Sequence, residues 1–208
     1  MSCIRISRCQ DKKMNEFSYV DGTFPEFRSQ ILFWDNKCIE YISIFYDGNT
    51  DNIVNTLFGD CFAKARELAF SVEDDISFRG VVDEEGRVQS AAIISEGYVD
   101  TDFTSKPTII IDTLTNAPWN VIDKITPENM YKRKGAATSL IEGIIKESLS
   151  KGFEGVVKAL AIPRAVEFYL NLGFIENDSS AREVIVPSYL AQNILDDIEL
   201  KRQLQIFD

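Results

Sequence analysis

The chain has 208 residues, of which 45% are hydrophobic and 26% are charged, as in an ordinary soluble domain with or without an extension. Its net charge of −11 argues against general nucleic-acid binding, because that affinity depends on Lys and Arg neutralising phosphates. There is no histidine, which excludes Ser-His-Asp and Cys-His catalysis and histidine-ligated metals.

The cysteines and the apolar runs indicate the compartment. Cys3, Cys9, Cys38 and Cys61 include no CxxC pair, so neither a zinc ribbon nor a redox motif is expected. The first residues lack the apolar core of a signal peptide, and no apolar run reaches the ~18 residues of a membrane span. We therefore expect a cytoplasmic protein with reduced thiols and no membrane partner.

The apolar pattern predicts alternating strands and helices. In chain order we expect a strand over 39–46, a helix over 53–70, a hairpin over 76–95, a strand over 107–116, a loop over 117–130, a helix over 135–152, a strand over 155–161, a helix over 163–173, a strand over 182–187 and a helix over 188–207. This order predicts a mixed α/β, α+β-like domain over 38–187. Residues 1–37 are then an N-terminal extension packed on the core, and 188–208 a C-terminal helix.

Three groups of acidic residues are candidates for chemistry. Asp47, Asn49 and Asp51 imitate the start of a calcium loop, but Asn52 and Phe58 stand where that loop needs Gly and Glu. We therefore predict a helix-capping turn there and no metal. The acidic runs at 73–75 and 83–85 are interpreted as solvated turns.

Asp112 lies inside the apolar run IIIDTL of a predicted strand. A carboxylate in such a run is costly unless it has a partner or faces a cleft. It is either a general base or amine anchor, or a residue of the outward face of the strand. The sequence leaves these two alternatives open.

The segment YKRKGAATSL places three cations, Lys132, Arg133 and Lys134, directly before Gly135 at the start of a predicted helix. Small residues, here Gly135 with Ala136 and Ala137, let a ligand approach the backbone closely. The unpaired N–H groups of a first helical turn attract anions. Because cations at a helix N-terminus are otherwise unfavourable, the segment predicts a phosphate site.

These residues resemble the [Arg/Gln]-x-x-Gly-x-[Gly/Ala] coenzyme A motif of the GNAT N-acetyltransferase superfamily. Lys132 takes the first position, Gly135 the central one and Ala137 the last. LTNAPWN is similar to the Leu-x-Val-x-Pro end of the family's fourth strand, and AVEFYLNLGF to its Ala-x-x-Phe-Tyr-x-x-x-Gly-Phe ending. The APWN…YKxxG arrangement also resembles a less studied bacterial branch, and the likeness spans roughly 39–187.

The resemblance implies the family's fold, a central mixed and mostly antiparallel sheet flanked by helices, and its activity, acyl transfer from acetyl-CoA to a primary amine without a metal. It implies that the pyrophosphate binds at Lys132, Arg133, Lys134, Gly135, Ala136, Ala137 and Thr138. It implies that Leu114, Thr115 and Asn116 hold the pantetheine arm and the thioester. Tyr169 is the implied general acid, and Asp112 is our candidate for the base or amine anchor.

The acceptor is expected to be a small molecule or a peptide amine, and the protein a monomer or homodimer. The chain departs from the family at Ile162, where many members have Asn, and the segment between Pro118 and Lys132 is longer than usual. The alternative is therefore a GNAT-shaped regulatory or interaction module that binds acyl-CoA without catalysis.

Overall fold

The computed structural model describes residues 17–71, 76–101, 104–177 and 182–204. Within them the helices are α1 (Phe27–Phe45), α2 (Leu57–Ser71), α3 (Pro118–Val121), α4 (Ala136–Ser150), α5 (Pro163–Asn171) and α6 (Ser188–Gln203). The strands are β1 (Ser18–Asp21), β2 (Phe78–Val82), β3 (Val88–Thr101), β4 (Thr104–Asn116), β5 (Val157–Leu160), β6 (Ile175–Glu176) and β7 (Glu183–Val186). Short 3₁₀ helices form at Thr50–Ile53 and Pro127–Tyr131. Cys3, Cys9 and the acidic run at 73–75 lie outside the described residues.

The strands form a single sheet in the order β1-β2-β3-β4-β5-β7-β6. Neighbouring strands are antiparallel, apart from β4 and β5, which are parallel. A parallel pair needs a crossover connection, and here α3 and α4 lie in it. The predicted mixed α/β fold, with a mostly antiparallel sheet flanked by helices, is confirmed.

Two hydrophobic clusters lie on opposite faces of the sheet. One contains the apolar faces of α4, α5 and α6, and the other contains those of α1, α2 and α3. The consecutive residues Ala91 and Ala92 of β3 belong to different clusters, because side chains alternate between the faces of a strand. Helices therefore cover both faces of the sheet.

The prediction of a strand over 39–46 is wrong, because residues 39–45 form the end of helix α1 and Tyr46 follows it. Their β-branched and aromatic content favoured a strand. The buried residues of the helix follow helical spacing from its first turn: Phe27, Ile31, Trp34, Cys38, Tyr41 and Ile42. Packing of this stripe on the sheet outweighs the local β-propensity. Helix α1 also crosses residue 37, where we placed the end of the N-terminal extension.

The other predicted strands and helices form, with adjusted ends. The prediction of a loop over 117–130 is wrong in part, because Pro118 begins α3 and Pro127 begins a 3₁₀ helix, and proline is compatible with a first helical residue. The hairpin of β2 and β3 turns at Gly86, which has a φ of 76°. Pro163 is the first residue of α5, and Gly173 follows that helix with a φ of 97°. Strands β1 and β6 are additional to the predicted elements, and both are too short to leave a clear pattern.

A β-bulge changes the course of β4 in its middle. Ile93 of β3 pairs with Thr113 while Ile94 pairs with Ile111, so Asp112 is the extra residue. Strand β4 pairs with β5 only through 109–111. Beyond the bulge, residues 114–116 keep their pairing with β3 but have lost β5. The end of β4 therefore presents an open edge, and this edge forms one side of the site described next.

Candidate functional site

The start of helix α4 is uncapped. Gly135 occupies the N-cap position with a φ of 82°, in the left-handed region that glycine adopts without strain, and no side chain caps the helix. The first helical bond runs from the Ser139 N–H to the Gly135 carbonyl at 2.9 Å. Among the described residues, none accepts a hydrogen bond from the backbone N–H groups of 134–138. Five successive donors are thus available to a ligand at the positive end of the helix dipole.

A cavity of about 330 Å³ lies against these donors. Its lining residues come from β4, from α3 to α6 and from residues 132–135, which we call the loop before α4. They are Asn116, Asn120, Arg133, Lys134, Gly135, Ala136, Ala137, Thr138, Phe168, Asn171, Leu172 and Lys201. The two alanines are buried, and their small side chains leave the backbone accessible from the cavity. All but one of the predicted pyrophosphate-binding residues therefore line a single cavity, and the exception is Lys132.

The three cations of the loop have different environments. The Lys132 ammonium donates to the Ile122 carbonyl at 2.9 Å, so it ties the loop to the segment after α3. The Arg133 guanidinium donates to the carbonyls of Met130 and Lys132, at 2.9 and 3.0 Å. Lys134 is exposed at the cavity. These contacts offset the unfavourable interaction of Lys132 and Arg133 with the helix dipole. From the sequence alone, the presence of these cations was explained by a ligand.

A buried polar network holds the backbone of the loop. The Arg133 N–H donates to Asn120 Oδ1 at 2.9 Å, and Asn120 Nδ2 donates to Gln89 Oε1 at 3.0 Å. The Trp119 indole N–H donates to the same Gln89 oxygen at 3.2 Å, and Gln89 Nε2 donates to Asp83 Oδ2 at 2.7 Å. Gln89 is fully buried. The network therefore links the β2–β3 hairpin to the loop before α4.

Asp83 corrects one of our expectations. We interpreted the acidic run at 83–85 as a solvated turn, but Asp83 is buried, at 6% exposure. Its carboxylate accepts hydrogen bonds from the Glu85 and Arg87 backbone N–H groups and from the Arg87 and Gln89 side chains. A buried carboxylate requires such donors, and those from Arg87 and Gln89 lie beyond the run of three acids that we interpreted.

A second cavity, of about 190 Å³, continues the first toward α2. It is lined by Leu57, Asp60, Cys61, Lys64, Leu114, Thr115, Asn116, Val121, Ala137, Ile162, Arg164, Ala165 and Phe168. Asn116, Ala137 and Phe168 line both cavities, so the two form one cleft. The cleft runs from the start of α4 along the open edge of β4 to the face of α2.

The open edge of β4 offers backbone groups to this cleft. The Leu114 carbonyl accepts from Lys64 Nζ at 3.1 Å, and the Asn116 carbonyl accepts from Cys61 Sγ at 3.4 Å. In a strand the N–H and C=O of one residue point to the same side, so the N–H groups of Leu114 and Asn116 face the cleft too. The Thr115 carbonyl points the other way and accepts from Ser90 Oγ at 3.0 Å.

Asn116 adds an unsatisfied group at the junction of the two cavities. Its side-chain oxygen is buried and accepts no hydrogen bond within the described part of the chain. A buried oxygen without a hydrogen-bond donor lowers the stability of the fold. A ligand with an amide N–H in the cleft would supply that donor, so the residues present fit an extended polar ligand.

Tyr169 lies in the core beneath α5 rather than among the residues that line either cavity. It is 5% exposed, and its ring packs edge-on against Phe168 and Phe174 at centroid distances of 5.2 and 5.1 Å. Within the described ranges its hydroxyl makes no hydrogen bond. Burial raises its pKa above the ordinary value of 10.0, so the phenol stays protonated at neutral pH. Its role as the acid remains a prediction.

Asp112 is exposed at the bulge of β4 and lines neither cavity. Of the two alternatives, its position corresponds to the outward-facing one. The structure thus brings together Leu114, Thr115, Asn116 and residues 133–138 at the start of α4, and it leaves Asp112 outside that group. The proposed base role of Asp112 remains a prediction.

Sequence reasoning missed Lys64 and Asn120, which line the cleft, and Gln89, which supports it from the buried network. For Lys64 a signal existed: it follows Leu57 and Cys61 at helical spacing and interrupts an apolar stripe that resumes at Leu68. Gln89 and Asn120 gave no local signal, because their partnership depends on the pairing of distant segments.

Over the described ranges, no group of three or more Cys, Asp or Glu residues is arranged to hold a metal ion. The turn at Asn49 caps a 3₁₀ helix, with Asn49 Oδ1 accepting the Asp51 N–H at 2.9 Å, as predicted. Each helix in these ranges is too short or insufficiently apolar to cross a membrane.

No family model and no curated protein matches the chain. Solved structures do: a GNAT-family acetyltransferase from Listeria monocytogenes is 10% identical with a TM-score of 0.44, over 82% of this chain and 92% of that one. A GCN5-related N-acetyltransferase from Kribbella flavida is 20% identical with a TM-score of 0.41, over 77% of this chain and 33% of that one. A mutant of the toxin AtaT, bound to the C-terminus of the antitoxin AtaR and acetyl-CoA, is 14% identical with a TM-score of 0.42, over 56% and 71%.

Proposed function

We propose that the chain is an acetyl-CoA-dependent N-acyltransferase of the GNAT superfamily that passes the acyl group directly to a primary amine. The observation that carries this proposal is the uncapped start of α4, where five free N–H groups adjoin a cleft along the open edge of β4. The motifs that resemble the family coincide with these two features. The acceptor is expected to be a small molecule or a peptide amine.

Coenzyme binding follows from the two halves of the cleft. The pyrophosphate carries negative charge and fits the N–H groups of 134–138, with Lys134 and Lys201 as cations on the same cavity. The pantetheine arm contains amides, and these fit the backbone edge at Leu114 and Asn116 and the unsatisfied Asn116 side-chain oxygen. Acetyl-CoA in this position brings its thioester toward the second cavity.

The proposed reaction requires only a few chemical steps of the site. The amine nitrogen attacks the thioester carbon, the carbon–sulfur bond breaks, and the products are an N-acetylated amine and free coenzyme A. Backbone N–H groups of β4 stabilise the oxyanion, and holding both reactants in one cleft supplies the effective concentration. The leaving thiolate takes a proton, for which Tyr169 is the proposed donor. The attacking amine must first lose a proton to a base or to water.

Two observations support the alternative, which is an acyl-CoA-binding module without catalysis. Tyr169 lies outside the cavity linings, and Ile162 gives α5 no side-chain cap. Release of free coenzyme A from acetyl-CoA, measured across a panel of amines and peptides, separates the two functions. Amine-dependent release supports the transferase. Tight binding of acetyl-CoA without such release across the panel contradicts it and supports the module.

A further inference from the structure

Lys64 extends from α2 into the cleft at the edge of β4. Its ammonium donates to the Leu114 carbonyl at 3.1 Å, and its side chain lines the second cavity. Leu114 is one of the residues whose N–H and C=O face the gap left by β5. The Lys64 nitrogen therefore lies beside the strand edge on which, under the proposed function, the thioester is held.

Lys64 forms no salt bridge with a described carboxylate. Within the described part of the chain, no Asp or Glu oxygen lies within 4.0 Å of its nitrogen. Of the two acids on α2, Asp60 pairs with Arg164 at 3.2 Å, and Glu67 accepts a hydrogen bond from Thr113 at 2.6 Å. By contrast, Lys146 and Lys151 each pair with a glutamate at 2.6 Å. A lysine turned into an apolar cleft without a counter-ion is disfavoured in its charged form.

We infer that Lys64 is itself an acyl acceptor, a modification site that takes the acetyl group from acetyl-CoA bound in the same cleft. This inference rests on the proposed function. The neutral Lys64 amine attacks the thioester carbon, the carbon–sulfur bond breaks, and one amide bond forms at Nζ. The amine loses one proton, the departing sulfur gains one, and free coenzyme A leaves. No further reactant is required.

The electrostatics of the cleft support this role. Burial lowers the pKa of Lys64 below its ordinary value of 10.5, against the opposing charges of Glu67 and Asp60. A lowered pKa increases the fraction of neutral, nucleophilic amine at neutral pH. Acetylation removes the charge and adds a bulky group to a cavity of about 190 Å³. Modified protein is therefore expected to have less room for an external acceptor.

The test is peptide mass mapping of the purified full-length chain after incubation with acetyl-CoA. We expect Lys64 to gain one acetyl group at an initial rate at least about tenfold above that of the exposed Lys146, because the bound thioester is nearby. Lys64→Arg retains the positive charge but is not acylated, so the signal at this position should vanish. Gly135→Glu, which blocks the start of α4, should reduce Lys64 labelling to the level of exposed lysines.

Calorimetric binding of acetyl-CoA, measured first, separates the two claims. If acetyl-CoA binds and Lys64 stays unmodified, or is labelled no faster than Lys146, the inference is wrong and the proposed function is unaffected, since coenzyme A release across the amine panel decides it. If Lys64 labelling persists unchanged in Gly135→Glu, the modification does not come from the cleft and the inference is also wrong. If acetyl-CoA does not bind, both claims are wrong.

Discussion

The side-chain oxygen of Asn120 accepts the backbone N–H of Arg133 at 2.9 Å, joining the short helix after β4 to the loop before α4. The same side chain is held by Gln89 and lines the first cavity. The loop thus takes its position from the sheet and not only from its own sequence. Free N–H groups bind an anion well only when the backbone is already arranged for it. We therefore expect Asn120 to affect coenzyme binding by fixing the conformation of the loop.

Asn120→Ala should weaken acetyl-CoA binding. Loss of one hydrogen bond of about 0.5–1.5 kcal/mol corresponds to a Kd about 2- to 12-fold higher. The measurement is a calorimetric titration, and Asn193→Ala, at an exposed position of α6, is the matched control. An unchanged Kd in Asn120→Ala would remove this residue from the account of the loop.

Gln89→Leu should destabilise the fold. Gln89 is fully buried, and its loss leaves the Trp119 N–H and one Asn120 donor without their acceptor. An unsatisfied buried group costs about 1–3 kcal/mol, and urea unfolding measures the loss. The control is Gln192→Leu, at an exposed position of α6, which should change the free energy of unfolding by less than about 0.5 kcal/mol. Equal effects of the two substitutions would argue against the network.

Elements with local signals could be predicted from the sequence. The start of α5 at Pro163 and the left-handed Gly135 before α4 follow from the conformations that these residues allow. The prediction of a strand over 39–46 is wrong because the local β-propensity favours a strand, whereas the longer stripe of buried residues in α1 has helical spacing. A window that began at Phe27 would have revealed the helix.

Of the site, only the backbone conformation could be predicted from the sequence. The conformation of Gly135 and of the residues after it is local, and a short motif encodes it. The directions of the Lys132 and Arg133 side chains depend on the carbonyls of Ile122 and Met130, and these are brought near by folding. The same holds for Lys64, whose partner Leu114 is 50 residues away.

Glu147 gives the protein a predictable pH dependence. Its carboxylate accepts two hydrogen bonds from Arg79, at 2.6 and 2.7 Å, and one from Tyr19 at 2.7 Å. Burial opposes its ionisation, but these bonds outweigh burial and the pKa lies below the ordinary 4.5. A lowered folded-state pKa means that the stabilisation is present above pH 4.5 and is lost as the pH falls through the folded value.

Glu147→Gln should therefore lower the free energy of unfolding by about 2 kcal/mol at pH 7, and by progressively less below pH 4.5. Urea unfolding at several pH values measures this difference. Glu40→Gln removes a more exposed ion pair with Lys37 and should have little effect at any pH. A deficit in Glu147→Gln that stays constant from pH 7 to strongly acidic pH would contradict the assignment.

Tyr169→Phe tests the proposed acid. Because the hydroxyl makes no hydrogen bond to other described residues, its removal should leave stability and acetyl-CoA affinity nearly unchanged. Turnover with a responsive amine should fall about 100-fold or more, the usual contribution of a general acid. Tyr189→Phe, at an exposed position of α6, is the control. Wild-type turnover in Tyr169→Phe would exclude Tyr169 from the mechanism.

The central claim is that the start of α4 binds the pyrophosphate of acetyl-CoA, and a calorimetric titration of three proteins tests it most directly. The wild type should bind acetyl-CoA, and Gly135→Glu should bind it at least about 100-fold more weakly, because it adds a negative charge at a residue that lines the proposed phosphate cavity and strains the left-handed backbone there. Gly152→Glu, at the other end of α4, controls for backbone strain, since Gly152 has a similar φ of 78° with open space around it. It should bind like the wild type. Absence of binding to the wild type, or equal binding by Gly135→Glu, would contradict the account.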